Sequence, residues 1–109
     1  MSLQFLEFDT CEDADGLFTW DAVASPAPRH NLALLSEVRD VLAQLQMALG
    51  PAGPLDEGHA WDVDLQIHDD DLQPLALDAA EPPAQRVTLA LSLSGGEALA
   101  DALSALTQN

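Results

Sequence analysis

The apolar positions of this chain recur at two spacings, every second residue or every third to fourth, and these spacings predict most of its elements. Alternation is cleanest over 61–68, where Trp61, Val63, Leu65 and Ile67 lie on one side of a strand and Asp62, Asp64, Gln66 and His68 on the other. It recurs over 86–94, with Val87, Leu89, Leu91 and Leu93 pointing in and Thr88, Ala90, Ser92 and Ser94 pointing out. Residues 17–24 repeat the pattern with Phe18, Trp20 and Ala22 on one side. The apolar run 3–8 suits a further strand, which would pair with 17–24 as a hairpin around a long acidic loop ending in the Asp15-Gly16 turn. Leu72, Leu75 and Leu77 suggest one more, shorter strand after the turn at Asp69, Asp70 and Asp71.

The longer spacing marks helices. Leu34, Leu35, Val38, Val41, Leu42, Leu45 and Leu49 form one apolar face and predict a helix over 31–49, with Asn31 as its N-cap and Gly50-Pro51 as its stop. Ser94 stands three residues before Glu97, the spacing of a capping box, and Ala98, Leu99, Ala102, Leu103 and Leu106 complete a second, shorter helix. The segments 51–58 and 78–85, the latter with Pro82-Pro83, read as loops.

Strands with one wet face belong to an antiparallel sheet covered on one side, and two helices with single apolar stripes can supply that cover. The expected fold is therefore of the α+β class. It is a two-layer sandwich of four to five mainly antiparallel strands with two helices packed on one face, in the order ββαβ(β)βα. The whole chain, 1–109, reads as a single domain with one core. Gly16 precedes Trp20-Asp21 and Gly58 precedes Trp61-Asp62; a duplicated strand–strand–helix unit would account for this likeness, and chance accounts for it nearly as well.

Charge narrows the function more than the motifs do. The chain carries 19 Asp and Glu against 3 Arg and no Lys, a formal net charge of −16 on 109 residues. Such a field repels nucleic acid and anionic membranes and attracts basic partners. A 48% hydrophobic composition excludes a disordered acidic tail. Codon bias accounts for the missing Lys but not for the scarcity of Arg, and adaptation to salt would give a similar composition. Cys11 is the single cysteine, which fits a reducing compartment. With no signal-like start and no spanning apolar run, the expected location is the cytoplasm.

Four constellations bear on chemistry. The loop 11–16 matches a calcium-binding helix–loop–helix loop at Asp13, Asp15 and Gly16, but Cys11 and Ala22 occupy positions that need oxygen ligands, and the flanks read as strands. It reads as a solvated hairpin tip. On the strand 61–68, Asp62 and Asp64 share a face about 7 Å apart and are followed by His68, Asp69, Asp70 and Asp71. That spacing suits paired carboxylates or a divalent ion, yet further clustered ligands are not evident; a solvated sheet face explains the same residues, and a docking surface is the leading functional reading. Cys11 lies among Asp9, Glu12, Asp13 and Asp15, which oppose the thiolate that a nucleophile requires, while His30 and His59 read as surface residues. Gly95-Gly96 before a helix resembles a phosphate loop only in its glycines, since no Lys follows.

The leading expectation is a non-enzymatic interaction protein that needs no cofactor and docks onto a basic protein partner. It would act as an immunity- or antitoxin-like inhibitor, a mimic of nucleic-acid charge or a dedicated chaperone. The expected contact residues are Glu12, Asp13, Asp15, Asp62, Asp64, His68, Asp69, Asp70 and Asp71, drawn from the two densest acidic stretches. The alternative is a carboxylate-based site for a divalent metal or small ligand. Nucleic acid and membranes are excluded as partners on charge, and the choice between monomer and homodimer stays open.

Overall fold

A computed structural model describes residues 3–75, 77 and 85–107. Four strands form one antiparallel sheet: β1 (Asp9–Glu12), β2 (Phe18–Ala24), β3 (Trp61–His68) and β4 (Thr88–Gly95). Their order in space is β1-β2-β4-β3, which puts β2 and β4 at the centre. Helix α1 (Asn31–Leu49) follows β2, and α2 (Glu97–Thr107) follows β4. The chain is thus an α+β sandwich of a four-stranded antiparallel sheet with two helices, as the spacing of its apolar residues predicts.

Register explains why the sheet has one dry face. Leu89, Leu91 and Leu93 of β4 stand opposite Ala24, Ala22 and Trp20 of β2 and opposite Ile67, Leu65 and Val63 of β3. These residues meet Leu34, Leu35, Val38, Val41 and Leu45 of α1 and Leu99, Leu103 and Leu106 of α2 in one hydrophobic core. Burying each large aliphatic side chain is worth about 1.5–3 kcal/mol, so this one layer supplies most of the driving force for folding.

Two close fits hold the helices over the sheet. The indole Nε1 of buried Trp61 donates to the Gly50 carbonyl at 2.8 Å, tying the start of β3 to the end of α1. Gly50 has φ +84°, which ends the helix and turns the chain towards Pro51. At the β4–α2 junction, a Cβ on Gly95 would lie 2.9 Å from Leu99 Cβ and 3.0 Å from the Ala60 carbonyl, so the helix can seat only against a glycine.

The N-terminal part departs from expectation. Residues 3–8 are not a strand; they form a strap whose Leu6 is buried and whose Leu3, Phe5 and Phe8 pack against the core. The cause is Glu37, a buried residue of α1. Its Oε1 accepts the Gln4 N–H, and its Oε2 accepts the N–H groups of Phe5 and Leu6 at 2.9 Å each. Backbone donors that a ladder would have used are thereby taken up by one carboxylate. The first strand instead falls on Asp9–Glu12, in the stretch expected to be loop, and all four of its residues are exposed.

Other boundaries shift for local reasons. His30, not Asn31, precedes α1; Asn31 is the first helical residue, buried, with its Nδ2 donating to the Gln85 carbonyl at 2.8 Å. Ser94 stays in β4, and α2 begins at Glu97, so the capping-box spacing is not used as expected. The strand expected around Leu72, Leu75 and Leu77 reduces to a bridge between His68 and Pro74. Most of the loop expected over 78–85 lies outside the described residues. The order β1β2α1β3β4α2 does contain two ββα units, but Trp20 sits in the second strand of its unit and Trp61 in the first of its own, so the Trp-Asp pairs are out of phase.

Candidate functional site

The face of the sheet opposite the helices is open, and the alternation of each strand decides what it shows. Residues opposite one another across the strands form rows. One row runs Asp9, Asp21, Ser92, Asp64 from β1 to β3; the next runs Cys11, Thr19, Ser94, Asp62. A third joins Val23, Ala90 and Gln66. Strands in a sheet lie about 4.8 Å apart, so the Cα atoms of Asp21 and Asp64 stand roughly 10 Å apart with Ser92 between them.

Small residues along β4 and longer ones on its neighbours make this face a trough. Ala90 and Ser92 form the floor of a shallow depression of about 150 Å³, with Asp21 and Val23 on one wall and Asp64 and Gln66 on the other. Val23 is 67% exposed in the middle of this face, which is unusual for a sheet valine and makes the trough amphipathic. Asp9 and Asp21 are directly paired, and like charges in that position oppose folding by about 0.2–1 kcal/mol. The three arginines lie elsewhere: Arg86 donates from Nη1 to the Ser25 carbonyl, Arg29 donates from Nε to His30 Nε2, and Arg39 is on α1.

The residues expected to contact a partner are not gathered in one place. Asp62 and Asp64 are on the open face, and Asp62 Oδ1 also accepts the N–H of Val63 at 2.8 Å. Glu12, Asp13 and Asp15 are at the hairpin end of the sheet, near Phe18 and Gly95. His68, Asp69, Asp70 and Asp71 are at the far end of β3, about 24 Å away along the strand. Asp13 Oδ1 accepts the N–H groups of Asp15 and Leu17, and Asp69 Oδ1 accepts those of Asp71 and Gln73, so these two carboxylates shape their own turns. His68 lines an edge groove of about 370 Å³ with Leu65, Ile67, Leu72, Pro74 and Leu75, a mainly apolar setting.

Asp9 and Asp21 are face residues that sequence reasoning missed. The inward set Phe18, Trp20 and Ala22 already implied that Asp21 points outward, but its alignment with Asp64 depends on register across β4, which spacing does not give. Among the described residues, no group of three or more His, Cys, Asp or Glu is placed to hold a metal ion, and no helix is long and apolar enough to cross a membrane. No family model matches the chain, and no curated protein or solved structure matches it.

Proposed function

We propose that the protein is a small, acidic, non-enzymatic interaction domain of the cytoplasm that docks a basic protein partner on the open face of its sheet. The observation that supports this reading is the row Asp9, Asp21, Ser92, Asp64, which keeps repelling carboxylates side by side over a small-residue floor. A surface selected for stability alone would pair or dilute those charges. An arriving Arg or Lys offsets the repulsion, and long-range attraction speeds the encounter. An immunity- or antitoxin-like inhibitor, a charge mimic of nucleic acid and a dedicated chaperone all use this physics.

Two variants of equal net charge separate the face from the overall field. One carries Asp21→Asn, Asp62→Asn and Asp64→Asn; the other carries Asp56→Asn, Glu57→Gln and Asp101→Asn, in the loop before β3 and on α2. Immobilised wild-type protein is expected to retain a basic protein from its native lysate at low salt and release it as the screening length shrinks. The second variant should behave like wild type, and the first should lose the partner. Equal retention by both variants, or no basic protein bound at all, refutes the reading.

A further inference from the structure

Helix α1 turns its apolar face to the sheet, and its opposite crest is unlike the rest of this acidic molecule. At 3.6 residues per turn, Leu32, Ser36, Arg39, Asp40, Ala43 and Met47 fall within an arc of about 100° on that crest. All six are exposed, Leu32 by 60% and Met47 by 82%, two of the most exposed large apolar side chains among the described residues. The crest carries one positive and one negative charge, so it is neutral on a chain of net charge −16. Where self-repulsion is this strong, a neutral strip is where a second copy can approach.

The order of residues along the strip is self-complementary. Turning α1 over against itself, with a two-fold axis between Arg39 and Asp40, sets Leu32 against Met47 of the second copy and Ser36 against its Ala43. Arg39 then meets Asp40 of the second copy, twice over. Each contact is generated with its mirror contact, which is the requirement of a closed two-fold interface. The small Ser36–Ala43 pairs, about one turn from the axis on each side, let the helices approach, while the apolar pairs at the ends extend the contact over about 22 Å of helix. A parallel arrangement would instead oppose Arg39 to Arg39 and Asp40 to Asp40. The antiparallel one also opposes the helix dipoles favourably.

We propose that the protein forms a two-fold homodimer through the solvent-facing crest of α1, packed antiparallel. A contact confined to one helix is small and belongs to the weak, reversible class. Its strength should rise with salt, because screening relieves repulsion between two strongly acidic copies more than it weakens two exposed ion pairs.

Sedimentation equilibrium from micromolar to millimolar protein, at low salt and in ~1 M sodium chloride where the screening length is ~3 Å, tests this. Wild type should dimerise, more tightly at high salt. Leu32→Gln/Met47→Gln should raise Kd about tenfold or more by removing the apolar ends. Arg39→Asp and Asp40→Arg should each weaken the dimer, because each creates two like-charge pairs. The double variant Arg39→Asp/Asp40→Arg should restore it, and an equimolar mixture of the two single variants should form a heterodimer. All these positions are exposed, and circular dichroism is the check that each variant is folded. Three results overturn the proposal: a monomer under every condition, a dimer indifferent to Leu32→Gln/Met47→Gln and Arg39→Asp, or no recovery in the double charge swap.

Discussion

Glu37 supplies the hydrogen bonds that latch the N-terminal strap to α1, and replacing it with Ala gives the sharpest test of the fold. Its carboxylate accepts three successive backbone N–H groups, from Gln4, Phe5 and Leu6. Hydrogen bonds to a charged acceptor are worth about 1.5–3 kcal/mol each. The simple sum overstates the loss, because a strap left with orphaned donors can detach into water. Detachment exposes buried Leu6 and the half-buried Leu3, Phe5 and Phe8, but it returns about 1 kcal/mol of backbone entropy per freed residue. The balance gives an expected destabilisation of about 2–4 kcal/mol for Glu37→Ala. Glu37→Gln keeps the volume and one acceptor oxygen, so it should fall between that variant and wild type.

Urea unfolding followed by tryptophan fluorescence measures the global loss, and amide hydrogen exchange locates it. In wild type the Phe5 and Leu6 amides should be protected; in Glu37→Ala they should exchange freely while the amides of β2 and β4 remain protected. A double-mutant cycle adds a second check. Leu6→Ala should cost about 2–4 kcal/mol in wild type but far less on the Glu37→Ala background, where the strap is already released. Additive losses, or Glu37→Ala within about 0.5 kcal/mol of wild type with both amides still protected, would refute the latch.

Three further outcomes follow from the geometry. Gly95→Ala should destabilise by about 1–3 kcal/mol by urea titration, since its Cβ meets the Ala60 carbonyl and Leu99 at the seat of α2. Trp61→Phe keeps most of the buried ring but orphans the Gly50 carbonyl, and should cost about 1–3 kcal/mol on the same assay. Asp21→Thr should raise the melting temperature, by relieving the pairing with Asp9 for a gain of about 0.2–1 kcal/mol, and should weaken capture of a basic partner; stability and binding moving together would count against the docking face.

What could be read from spacing is what burial alone determines. β3, β4 and α1 each bury one regular set of residues, so Trp61, Val63 and Ile67, then Leu89, Leu91 and Leu93, then Leu34, Val38 and Leu45 announce their elements without any partner in view. β1 buries nothing: Asp9, Thr10, Cys11 and Glu12 are all exposed, and their strand conformation comes from pairing with β2. The strap shows the converse. Leu3, Phe5, Leu6 and Phe8 pack on the core, yet the N–H groups of Gln4, Phe5 and Leu6 are satisfied by a residue some thirty positions away. A hint was available, since Glu37 is a charged residue between Leu34 and Val41 on the margin of an apolar stripe. The proposed docking face was half legible for a similar reason. Asp62 and Asp64 follow from alternation within one strand, whereas the row that adds Asp9 and Asp21 exists only through strand order.

The proposed docking face and the proposed dimer contact should respond oppositely to salt, and that opposition makes them separable. The open sheet face is acidic, so screening should weaken the proposed hold on a basic protein. The α1 crest is neutral on an acidic body, so screening should strengthen the proposed contact between copies. The two lie on opposite sides of the molecule, because α1 buries against the sheet the side that the crest does not occupy. A dimer joined at the crests would therefore leave both acidic faces pointing outward and could engage a basic partner at two points. Linked sites of that kind gain affinity without any new contact when the partner itself carries two sites. Protein held monomeric by Arg39→Asp alone should then bind a single-site basic partner as wild type does, apart from the added charge, and a two-site partner markedly less well; equal loss for both would mean that the crest contributes to docking directly and that the two surfaces are not independent.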